Sequence, residues 1–71
     1  MYAVRIDGRT VDELASLRVA YIRARYDFGA RIDDQREYQR AIREGMDVTP
    51  GMTLVYPGRE GGVVSITKIG E

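Results

Sequence analysis

The chain contains no cysteine, so neither a disulfide nor a thiolate–zinc site can hold it together. Its 71 residues must therefore fold by burying apolar side chains alone. A domain that short removes only about 60% of its unfolded surface from water. Hydrophobic residues make up 44% of the chain and charged residues 31%, the balance of a globular protein rather than a disordered one. The length suits one α+β domain over residues 1–71. No apolar run approaches the roughly 20 residues that span a bilayer, and no basic-then-apolar leader opens the chain. The expected location is the cytoplasm, away from membranes, which the missing cysteine also suits.

The pattern along the chain predicts the order βααββ. Tyr2, Val4 and Ile6 alternate with Ala3 and Arg5, the period of a half-buried strand. Asp7-Gly8 supplies a turn. Thr10 and Glu13 have capping-box spacing, which predicts a long helix from there to about Tyr26 or Phe28, closed by Gly29. Asp34 and Glu37 form a second pair of this kind. They predict a helix with Tyr38, Ala41, Ile42 and Met46 on one face, ending near Gly45. Pro50-Gly51 is a turn signal, and Met52 to Tyr56 reads as a strand. A hairpin loop follows from Pro57 to Gly62, and β-branched Val63 to Ile69 forms the last strand. The expected architecture is a three-stranded sheet with a C-terminal β-hairpin and two helices packed on one face.

Catalytic equipment is scarce. The sequence has no His, Cys, Trp or Asn, which removes the imidazole base, the thiol nucleophile and the commonest zinc ligands. Asp33-Asp34 and Asp12-Glu13 are read as helix caps rather than an acid–base pair. Ser16 and Ser65 have no visible base. Gly58, Gly61 and Gly62 fall in a hairpin, not between a strand and a helix, so they do not make a phosphate loop. The expectation is no enzyme, no cofactor and no metal.

The arginines carry the functional reading. Ten of the eleven basic residues are Arg, which makes planar bidentate contacts that Lys cannot. A GC-rich bacterial genome gives the same bias. In the predicted first helix, Val11, Leu14, Ala15, Leu17, Tyr21, Ile22, Ala24 and Phe28 cover one broad face, interrupted by Arg18 and Arg25. Either those two lay their stems along the apolar surface and reach solvent or an acid, or part of the face is a binding surface. In the second case Arg18, Tyr21, Arg25 and Tyr26 are its anchors. In the second helix Arg36, Arg40 and Arg43 form one exposed stripe, diluted by Glu37 and Glu44. Arg59 sits at the hairpin tip. Tyr2, Tyr38 and Tyr56 fit inward positions, and Tyr26 an exposed one.

The leading expectation is therefore a small protein-binding module. It would be a regulator or inhibitor of bacterial or phage (mobile-element) origin that occupies a surface of a larger protein, whose identity stays open. One alternative is a nucleic-acid-binding domain using Arg36, Arg40 and Arg43 with the Arg59 hairpin, disfavoured by eleven basic residues balanced against eleven acidic ones. The other is a homo-oligomeric structural subunit, in its simplest form a homodimer, joined through the interrupted face of the first helix.

Overall fold

The computed structural model describes residues 1–70. The elements are β1 (Tyr2–Ile6), β2 (Arg9–Leu14), α1 (Leu17–Tyr26), α2 (Arg36–Arg43), β3 (Thr53–Pro57) and β4 (Val63–Lys68). Four strands form one antiparallel sheet in the order β2-β1-β4-β3. The α+β class and the two helices agree with the sequence pattern. The order is ββααββ and the sheet has four strands, not three.

The difference lies in residues 9–14. Asp7 at φ 51° and Gly8 at φ 84° make a two-residue turn of the kind that matches strand twist, so the chain folds straight back along β1. Thr10 and Glu13 are thus strand residues, and no capping box forms there. Val4 faces Asp12 while Arg5 faces Thr10, which leaves Val11 unpaired in a β-bulge. The helix begins only after Ser16, whose Oγ accepts the amide of Val19 at 3.4 Å. Val11, Leu14 and Ala15 consequently lie outside the helix they were expected to line.

The core lies between the helices and one face of the sheet. Tyr2 and Val4 of β1, Leu54 and Tyr56 of β3, and Val64 and Ile66 of β4 meet Leu17, Ala20, Tyr21 and Ala24 of α1. Ala41 and the fully buried Met46 close it from the α2 side. The other sheet face carries Arg5, Val55 and Ser65, with the hydroxyls of Thr53 and Thr67 paired at 3.1 Å.

Helix ends follow local chemistry. Asp34 stands one residue before the N-cap position, Gln35, and its carboxylate accepts the amide of Arg36 at 2.9 Å. At the other end of α2, Met46 donates to the Ala41 carbonyl at 2.9 Å and Gly45 to Ile42 at 3.0 Å, a Schellman cap that needs Gly45 at φ 88°. Beyond α1, residues 29–31 run along the end of β3. The Arg31 amide donates to the Pro57 carbonyl at 2.8 Å, and the Arg59 amide to Gly29 at 2.9 Å. The 57–62 loop is thereby fastened to the end of α1 rather than projecting freely. Among the described residues no helix is long and apolar enough to cross a membrane.

Candidate functional site

Helix α1 has two apolar sides, one against the sheet and one facing outward. Leu17, Ala20, Tyr21 and Ala24 face the sheet. Val19, Ile22 and Tyr26, spaced three and four residues apart, face away and are 42%, 43% and 66% exposed. Three such residues on one solvent-facing stripe are more than the isolated exposures normal for a surface.

Arg18 and Arg25 border this stripe on one flank. Arg18 is exposed and Arg25 half-buried, and neither forms an ion pair with an acid among the described residues. The Arg25 guanidinium lies 5.4 Å from the centre of the Tyr26 ring, within cation–π range. On the opposite flank Arg23 is held by Asp12 at 3.1 Å and Asp27 at 3.7 Å. The outer side of α1 therefore presents an apolar, aromatic centre with two uncommitted guanidinium groups beside it.

Tyr21 does not belong to that surface. It is buried, with its ring centre 4.4 Å from that of Tyr38 and 6.5 Å from that of Tyr56. The hydroxyls of Tyr21 and Tyr56 are buried without a hydrogen-bond partner among the described residues. Burial raises the Tyr21 phenol above its ordinary value, an effect partly offset by Arg25. Burial, and then the neighbouring Tyr21, Glu37 and Asp34, push Tyr56 up to about 12. A shallow crevice lined by Arg18, Tyr21, Ile22, Gln35 and Tyr38 opens between the helices beside the stripe.

The remaining arginines are placed differently. Arg40 is clamped by Glu37 at 2.8 Å from Nε and by Glu44 at 3.1 Å, and both contacts raise its already high pKa. Arg36 pairs with Asp34 at 3.4 Å, and Arg43 stands at the exposed end of the same helix. Acids thus engage Arg36 and Arg40 of this stripe, while Arg43 forms no ion pair among the described residues. Arg59 turns back and donates to the Arg25 carbonyl at 3.3 Å in the last turn of α1, where a cation suits the helix dipole. The structure thus gathers Arg18, Arg25 and Tyr26, with Arg59 at one end, and leaves Arg36, Arg40 and Arg43 on a separate helix.

Val19 is the member of this face that the sequence pattern missed. Ile22 belongs to the single broad apolar face that the sequence pattern predicts. A helix assumed to begin at Thr10 assigns one broad apolar face, whereas one beginning at Leu17 must divide it. No group of three or more carboxylates among the described residues is placed to hold a metal ion.

Compared with known protein families, curated proteins and solved structures, the chain matches none.

Proposed function

We propose that the chain is a non-enzymatic protein-binding module, and that the outer side of α1 is its contact surface. The carrying observation is the juxtaposition of exposed Val19, Ile22 and Tyr26 with Arg18 and Arg25, which lack acidic partners among the described residues. Aromatic and Arg side chains contribute most where a partner excludes water around them. The chemistry calls for a partner surface that is apolar at its centre and acidic along one border. A regulator or inhibitor that occupies such a surface of a larger cytoplasmic protein fits this chemistry, and a phage or mobile-element source fits the small size and Arg bias.

The nucleic-acid reading draws less support. Two of its three helix arginines, Arg36 and Arg40, are engaged by Asp34, Glu37 and Glu44, so a phosphate backbone would have to displace those internal ion pairs.

Capture of proteins from an extract of the source organism, compared across variants, tests the assignment. The bound protein is expected to be retained by the wild-type chain and by Arg36→Glu/Arg43→Glu. It is expected to be lost with Arg18→Glu/Arg25→Glu and with Tyr26→Ala. Equal capture by all four overturns the assignment to α1.

A further inference from the structure

We infer that the free edge of β3 pairs with the same edge of a second copy, joining two sheets about a two-fold axis at Leu54. In an antiparallel ladder, residues alternate between exchanging both backbone bonds with the neighbour and turning them away. Two bonds fix the phase of β3. The Lys68 amide donates to the Met52 carbonyl at 2.9 Å, and the Gly58 amide to Gly62 at 3.1 Å. Leu54 and Tyr56 therefore bond to β4, while Thr53, Val55 and Pro57 point outward.

Pro57 has no amide, and its carbonyl is already taken by Arg31. The outward N–H and C=O groups of Thr53 and Val55 have no backbone partner among the described residues.

These groups are self-complementary. With the axis at Leu54, Thr53 of each copy faces Val55 of the other, and every free donor meets a free acceptor. The ladder stops at Pro57 and the strap at residues 29–31, so a longer foreign strand gains no backbone bond there. Val55, 61% exposed, packs beside Thr53 of the other copy.

Charge fits the same occupant. Glu37 and Arg40, already paired with each other, line the groove beside Thr53–Tyr56, so this edge sets little net charge against a second copy. A formal net charge of zero puts little repulsion between copies. The opposite edge of the sheet offers no such site. It is bulged at Val11, and the Glu13 amide is already satisfied by Asp12 Oδ1 at 2.9 Å. So short a ladder belongs with weak, concentration-dependent interfaces.

Sedimentation and residue-resolved amide exchange at rising protein concentration test the pairing. The expected result is a doubling of the 8.0 kDa mass. The amides of Thr53 and Val55 are expected to gain protection together with it, by about tenfold or more as the dimer fills. Val55→Pro removes only an outward N–H and leaves the β4 ladder whole, so a folded monomer is expected. Val55→Lys keeps the backbone and places a charge on the edge, with the same outcome, and carries the test if the proline variant does not fold. A monomer at the highest soluble concentration overturns the inference. So does a dimer in which both amides exchange freely, or one that survives Val55→Lys. Capture through α1 does not involve Val55, so failure here is separable from failure of the binding face.

Discussion

Asp7 grips Val63 from both sides of the backbone. Its amide donates to the Val63 carbonyl at 2.8 Å, and its Oδ1 accepts the Val63 amide at 2.9 Å. One residue thus joins the β1–β2 turn to the first residue of β4, from a backbone at φ 51°. Asp7→Ala keeps the left-handed strain and loses the acceptor, so it is expected to cost about 2 kcal/mol in urea unfolding. Asp7→Asn retains an acceptor and tolerates the backbone, and is expected to cost about 1 kcal/mol or less.

Gly45 closes α2 in the left-handed region, and an added methyl there would meet Thr49 and Val48 only at ordinary contact distances of 3.5 and 3.7 Å. Gly45→Ala therefore carries backbone strain without a clash. A cost of about 1 kcal/mol, or roughly 4–8 °C in Tm, is expected. A thermal melt followed by circular dichroism measures it. An unchanged Tm means that the Schellman cap contributes nothing.

The buried hydroxyls of Tyr21 and Tyr56 have no partner among the described residues, so Tyr21→Phe and Tyr56→Phe remove buried polar groups without breaking a hydrogen bond seen there. Each variant is expected to be as stable as the parent or more stable by about 1 kcal/mol. Tyr56 also sets an alkaline limit. Its phenol is pushed from 10.0 to about 12 in the folded chain, so the unfolded chain loses this proton first. Stability is unaffected by this group below about pH 10 and falls as pH rises from there toward 12. Tyr56→Phe is expected to flatten that fall in unfolding measurements across the range.

Residues of a binding face should be dispensable to the fold. Arg18→Glu, Arg25→Glu and Tyr26→Ala are expected to change unfolding free energy by no more than about 0.5 kcal/mol. Ile66→Ala, in the fully buried centre of β4, is expected to cost about 2–5 kcal/mol. A large loss in the α1 variants would recast those side chains as structural.

Much of the fold was legible because particular residues permit few alternatives. The alternation of Tyr2, Val4 and Ile6, the stop at Gly45 and the β-branched run from Val63 all correspond to observed features. Strand β2 was not legible, for two reasons. As an edge strand with no buried residue, it shows no apolar alternation. Its Thr10-x-x-Glu13 spacing also imitates a helix start, running into helix-favouring residues. Asp7-Gly8 held the missing signal, since that dipeptide after an alternating strand is a hairpin turn as readily as a link to a helix. The exposure of Tyr26 was legible near the helix end, but the inward position of Tyr21 was not separable from that of Ile22 on one broad face. The free edge of β3 could not be read at all, because strand order depends on contacts between distant residues.

The bulge at Val11 makes the two edges of the sheet unlike. A sheet with two receptive edges can add neighbours without limit and grow into fibres. Here β2 is bulged and its Glu13 amide is already engaged, so the sheet's two edges are unlike and a chain of copies joined edge to edge finds no matching second edge.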